Sequence, residues 1–301
     1  MPRGSRVAIL RLRSLGDCVL TTPALAILKR CRPDLRLAVV VEDRFRAIFE
    51  ENPDVDEILR PQLGPLRRFK PALCLNLHGG SRSAWMTAAS GERYRAGFAH
   101  YRHQYVYNVR IPRAQQILGV DRTVHTAEHL ASAMFYLGAP LGEVAGATLR
   151  VANAETRLVA TQRVATTIIH PIAATPEKTW HAEGFLAVAR HLKSSGLEPI
   201  FIGALGDDLS AFRAWRTVSG APLSEIKRLI GTASLFVGND SGPAHMAAAF
   251  GVPAVVIFGA SNPAIWGPWR TASEVVTAAG GIAQVSTAQV LDALRRIAVH
   301  A

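Results

Sequence analysis

Two polar turns in this 301-residue chain carry the side chains best placed to do chemistry. The first, Arg13-Ser14-Leu15-Gly16-Asp17, follows the apolar run Val7–Leu12 and leads into a helix-like stretch, Thr21–Arg30. A carboxylate beyond the carboxyl end of a strand can act as a general base on a hydroxyl. Gly16 permits close backbone approach. The same Asp17 in the first turn of a helix would serve equally as a cap. The second turn, Gly238-Asn239-Asp240-Ser241-Gly242-Pro243, separates a strand ending at Val237 from a helix that Pro243 suits at its first turn. Free N–H groups near Ser241 and Gly242 would face an anion, aided by the helix dipole, and a pyrophosphate fits. Asp240 would repel a phosphate that came too near, so it reads as facing a sugar hydroxyl or bracing the turn. Capping by Asp240 or Ser241 is compatible with either role. Lys178 follows a strand and precedes a helix, where it could reach a diphosphate as a point charge. Taken alone it reads equally as a solvated lysine, and Trp180 reads as a core residue.

Other chemistries leave similar traces. Gly238–Gly242 fits a nucleophile elbow with Asp240 in place of serine. His78-Gly79-Gly80 would then offer oxyanion donors and His300 a late base, which gives an α/β hydrolase as the alternative function. His300 is penultimate, where chains fray. The Asp-Ser-Gly triplet also matches a serine-protease signature, but that fold is all-β. His125-Thr126-Ala127-Glu128-His129 matches H-x-x-E-H, a zinc motif, yet no further motif nominates a third ligand. The plain reading is the start of an amphipathic helix, and no metal is expected.

The elements that must position these residues alternate. Strand-like runs fall at Val7–Leu12, Leu37–Val41, Leu73–Leu77, Thr166–His170, Pro199–Ile202, Leu235–Val237 and Ala254–Phe258. Helical spacing occupies Arg82–Ala89, His125–Leu137, Ala182–Leu192, Leu223–Ile230, the stretch from Pro243, and Thr287–Val299. Alternation predicts α/β architecture with parallel sheets and crossover helices. The series restarts near residue 165, so two Rossmann-like domains are expected, 1–160 and 161–301. Asn153–Arg163 reads as their link, and the last helix is free to pack back on the first domain.

Composition narrows the class. Residues 1–150 hold 22 Lys and Arg against 13 Asp and Glu, whereas residues 151–301 hold 12 against 10. The net charge of +11 therefore belongs mostly to the front half, which suggests an anionic partner there. A non-enzymatic nucleic-acid binder would share that bias, but no nucleic-acid module is recognisable. Cys18, Cys31 and Cys74 have no paired spacing and read as reduced cytosolic thiols. The apolar start is too short for a signal-peptide core. Met246–Ala260 falls short of the roughly 18–20 residues of a membrane span.

Three blocks together resemble a known family, the lipopolysaccharide heptosyltransferases of glycosyltransferase family 9. They are SLGDCVLTTPAL at 14–25, PEKTW at 176–180 and VGNDSGPAHMAAAFGVPAVVIFGASNPAIWGPW at 237–269. The resemblance implies a GT-B fold, two Rossmann-like domains facing a cleft. It implies metal-independent, inverting transfer of heptose from ADP-heptose to the inner core of lipopolysaccharide, with no cofactor. By resemblance, Asp17 is the catalytic base and Lys178 contacts the donor diphosphate. Asp240, Ser241 and Gly242 form the donor turn, with Asp207 or Asp208 toward the ribose and Ser261 in the next donor loop. Ser14, Gly16, His78 and Arg82 line the acceptor side. A phosphorylated lipid A-core acceptor and an anionic membrane surface are the implied partners, with no nucleic acid. The implied location is cytoplasmic, peripheral to the inner membrane. The chain departs from the family at Ala260-Ser261-Asn262, at His181, and in a short stretch from Asp208 to Leu223, all on the side of the donor's base and sugar.

Overall fold

The computed structural model describes residues 1–151 and 165–300, the side chains of the last three excepted. The expected link Asn153–Arg163 and the side chain of His300 lie outside the described residues. The chain divides into two compact units, Met1–Leu149 and Arg150–Ala301.

In the first unit the strands are β1 (Arg6–Leu10), β2 (Arg36–Val40), β3 (Glu57–Leu59), β4 (Leu73–Asn76), β5 (Tyr94–Phe98) and β6 (Val109–Ile111). All pair in parallel in the order β3-β2-β1-β4-β5-β6. The helices are α1 (Leu15–Cys31), α2 (Leu63–Phe69), α3 (Ser81–Ala89), α4 (Ala114–Leu118) and α5 (Thr126–Tyr136). The central strands are buried after their first residue, which is why they read as continuous apolar runs. Under α2 and α3 lies a core of Ala8, Leu10, Ala38, Val40, Leu59, Leu66, Phe69 and Met86.

The second unit repeats the plan. Its strands are β7 (Thr166–His170), β8 (Glu198–Gly203), β9 (Arg216–Ser219), β10 (Leu235–Asn239), β11 (Ala254–Ile257) and β12 (Ser273–Val276). They too are all parallel, in the order β12-β11-β10-β7-β8-β9. Counted from its own first strand, this order is the same as in the first unit. The helices are α6 (Ala182–Ser194), α7 (Leu223–Gly231), α8 (Gly242–Ala249), α9 (Pro263–Trp266) and α10 (Thr287–His300). Helix α10 packs on β11, β12 and α6. Trp180, Phe185, Phe201, Phe212, Val237 and Ile257 anchor the core there.

The strand order decides where ligands can go. In an open parallel sheet a crevice forms beyond the carboxyl ends of the strands where the winding reverses. The reversal lies between β1 and β4 in the first unit, and between β7 and β10 in the second. The two chemical turns read from the sequence are the segments that leave β1 and β10.

Candidate functional site

In the first unit, Ser14 is the residue that caps α1 and Asp17 stands in its first turn. One carboxylate oxygen of Asp17 accepts from Ser14 Oγ at 3.1 Å and, more weakly, from Ser14 N at 3.4 Å. The other faces the Arg11 guanidinium at 3.6 Å. The cap and the candidate base are thus the same carboxylate, with the cap on one oxygen and the arginine on the other. Gly16 is buried behind it in the helix. Arg11 is 4% exposed and donates to the Leu77 carbonyl, which also receives the Tyr101 hydroxyl at 3.1 Å. Sequence reasoning passed over this arginine. A charge inside the run VAILRL was the signal, because a buried guanidinium persists only with partners.

The loop after β4 comes to the same crevice. Asn76, fully buried, accepts from the backbone N–H groups of His78 and Gly79, both at 3.0 Å. Its amide donates to Ser83 Oγ and Tyr107 Oη, each at 3.0 Å. The loop is held from below, and His78 is presented half-buried at its top. Burial, reinforced by the charge of Arg11, pushes the His78 imidazole below its ordinary range, while Asp17 pulls the other way. His78 Nδ1 and Arg11 Nε are both buried without a hydrogen-bond partner among the described residues. Arg82 lies exposed on α3, donating to the Pro61 carbonyl and facing Glu42 at 3.6 Å.

In the second unit the switch point gathers Lys178, Asp240, Ser241 and Gly242. Lys178 Nζ meets Asp240 Oδ2 at 3.1 Å, with the Asp240 side chain 7% exposed and that of Lys178 34% exposed. Read from the sequence alone, these two residues have separate tasks; in the structure they form one ion pair. Ser241 stands at the cap position of α8 but makes no side-chain cap. Its hydroxyl lies 3.0 Å from His170 Nδ1 instead. Gly242 and Pro243 open the helix, whose first N–H groups have no carbonyl partner within it. Asn239 ties the region together: its carbonyl accepts from Trp180 N at 3.0 Å and its amide donates to the Pro171 carbonyl at 2.8 Å. The turn Pro176–Lys178 rests against the end of β11, where a Cβ on Gly259 would overlap the Glu177 carbonyl oxygen.

The remaining candidates sit apart from that pair. Asp207 accepts from Ala204 N at 2.7 Å and Asp208 from Ser210 N at 2.9 Å, so both carboxylates brace the loop after β8. Hydrogen bonds from Ser210 hold the Asp208 carboxyl below its usual range. Ser261 Oγ is buried with no partner among the described residues. The H-x-x-E-H residues are engaged elsewhere. His125 caps α5 by accepting from Ala127 N at 3.1 Å. Glu128 receives the Arg122 guanidinium at 2.7 and 2.9 Å, and His129 stacks on Phe98 with ring centroids 4.1 Å apart. Among the described residues no three His, Cys, Asp or Glu side chains are grouped to hold a metal ion.

Burial pushes the His170 imidazole down to about 4, with Asp207 acting weakly in the opposite sense. The unfolded chain binds that proton near pH 6.5, the folded chain only near 4. Stability is therefore complete above pH 6.5 and falls as the pH drops through this window, by about 2–3 kcal/mol at pH 4.5 from this residue. Urea midpoints at pH 7.5 and 4.5 measure the fall. His170→Gln should remove that share of it.

Two Rossmann-like units in one chain, each with its own switch-point crevice, place the protein in the GT-B class of glycosyltransferase folds. The model of glycosyltransferase family 9 (heptosyltransferase) matches residues 66–291, and the chain belongs to that family. It is similar to lipopolysaccharide heptosyltransferase 3 of Escherichia coli K12, 25% identical over 93% of this chain and 90% of the relative. Among solved structures it resembles the family 9 glycosyltransferase of Veillonella parvula, with a TM-score of 0.84 at 21% identity, covering 99% of this chain and 98% of that one. It also resembles the ADP-heptose lipopolysaccharide heptosyltransferase II of Escherichia coli, with a TM-score of 0.79 at 18% identity, covering 98% and 99%. None of these relatives supports the hydrolase alternative. No helix among the described residues is long and apolar enough to cross a membrane.

Proposed function

We propose that the chain is a metal-independent, inverting heptosyltransferase that moves a heptose from ADP-heptose to a phosphorylated inner-core sugar of lipopolysaccharide. The observation that carries this reading is the Lys178–Asp240 ion pair beside the amino end of α8, within a chain of family 9. The donor follows the name of one structural relative, and lipopolysaccharide as the acceptor the name of one curated relative. In the proposed reaction Asp17 takes the proton of the acceptor hydroxyl as that oxygen attacks the anomeric carbon. The new carbon–oxygen bond forms as the bond to the diphosphate breaks, and ADP leaves with the electron pair. Lys178 and the first N–H groups of α8 meet the charge gathering on the diphosphate. Asp240 holds the lysine in place, and from its buried position it is spared contact with the phosphate oxygens. Ser14, Gly16, His78 and Arg82 flank the acceptor, and Asp207, Asp208 and Ser261 flank the donor's ribose and sugar. Each holds its backbone N–H on one carboxylate oxygen, which leaves the other to accept from a ribose hydroxyl. The basic first unit suits an acceptor carried on an anionic membrane, with the enzyme peripheral to its cytoplasmic face.

Thermal shift with nucleoside diphosphates tests the donor assignment. ADP at 100 times its dissociation constant should add about 2.7 kcal/mol of stability. A shift with UDP or GDP but none with ADP would redirect the reading to another nucleotide sugar.

A further inference from the structure

A polar cavity lies at the opposite end of the first sheet from Asp17. It has a volume of about 350 Å³ and is lined by Arg6, Arg36, Glu57, Leu59, Pro65, Arg68 and Phe69. Arg6, Arg36 and Glu57 are the first residues of β1, β2 and β3. The cavity is therefore at the amino ends of the strands, about 16 Å along β1 from the turn that holds Asp17. Its size falls within the range of roughly 300–1,000 Å³ typical of small-molecule sites.

The charges there are not balanced from within. Register sets Arg6 directly beside Arg36, so the two side chains emerge on the same face of neighbouring strands. Like charges so placed are destabilising unless something answers them. Arg68 adds a third guanidinium from the last turn of α2. None of the three is in an ion pair among the described residues, although Glu57 lines the same cavity and Glu92 feels the charge of Arg6. Asp56, which feels Arg36, is already held by Lys29 at 2.8 Å and by Leu37 N at 2.7 Å. Arg6 lies over the Phe69 ring at 5.9 Å, which steadies one guanidinium against the apolar floor of Leu59, Pro65 and Phe69.

We propose that this cavity binds a phosphomonoester whose organic part rests on that floor. Guanidinium groups match phosphate oxygens with paired N–H donors, and a dianion would answer two of the three charges. A carboxylate in the lining leaves room for a hydroxyl-bearing ligand, which it can accept from. The site shares no residue with the transferase machinery above, so the two readings stand or fall separately.

Calorimetric titration of the full chain with glucose 6-phosphate tests it, with glucose as the neutral control. Saturable binding of glucose 6-phosphate alone is expected, weakened about tenfold or more in Arg36→Gln and in Arg68→Gln, with the ADP thermal shift unchanged. Both positions are exposed, so neither variant should endanger folding. No saturable binding of glucose 6-phosphate together with no variant-sensitive binding of phosphatidic acid vesicles, or affinity for either that is unchanged in both variants, overturns the proposal. Co-sedimentation with phosphatidic acid vesicles, lost in the same variants, would support it with the phosphomonoester on a lipid. Equal co-sedimentation with phosphatidylglycerol, a phosphodiester, overturns the monoester assignment.

Discussion

Asp17→Asn is expected to give a folded protein whose transfer rate falls about 10²–10⁴-fold, the usual worth of a positioned general base. The substitution preserves what the carboxylate does for the helix. Asparagine keeps an oxygen that Ser14 can donate to, and it remains a good residue for the first turn of α1. Arg11 keeps the Leu77 carbonyl but loses its carboxylate counter-charge, so some stability is lost beside the rate. What disappears is the capacity to take a proton. The measurement is initial rate of ADP release with acceptor present, beside ADP affinity from thermal shift. Lost rate with unchanged ADP affinity is the expected pattern. Full rate in the variant would reduce Asp17 to a helix cap.

The second large effect is expected at Lys178. Lys178→Ala removes the cation proposed to face the leaving diphosphate, and oxyanion-type donors are worth about 10²–10³ in rate. It also leaves the nearly buried Asp240 carboxylate without its partner, at a cost of about 1–3 kcal/mol in stability. These two losses can be separated. The double variant Lys178→Ala with Asp240→Asn should recover most of the stability, since no charge is then stranded, while the rate stays low. If the rate recovers along with the stability, the lysine acts only as a structural partner of Asp240. Denaturant midpoints and kcat under saturating donor give the two readouts.

The central architecture could be read from the chain because buried parallel strands are rich in apolar and β-branched residues. Val7–Leu12, Leu73–Leu77, Thr166–His170 and Ala254–Phe258 all mark strands that lie inside a sheet. The edge strands β3, β6, β9 and β12 escaped, and so did β5. Arg216–Ser219 and Ser273–Val276 are short and partly exposed, and Tyr94–Phe98 carries an arginine, so none shows a continuous apolar run. Both chemical turns were legible because glycine, aspartate and a helix start crowd into a few residues. Their partners were not. Lys178 and Asp240 are separated by 62 residues, and only the strand order brings them together. His170 and Asn239 read as strand residues, yet one meets the Ser241 hydroxyl and the other suspends the backbone at Trp180. Nothing in a linear pattern distinguishes a buried bracing amide from an ordinary polar residue.

The tight seat of the Pro176–Lys178 turn on Gly259 has an evolutionary corollary. Position 259 has no functional group, yet any side chain there would displace the peptide that delivers Lys178. A saturation screen scored on activity alone would rank this glycine with the ionisable residues. Engineers seeking altered donors should hold it fixed and diversify the loops around it.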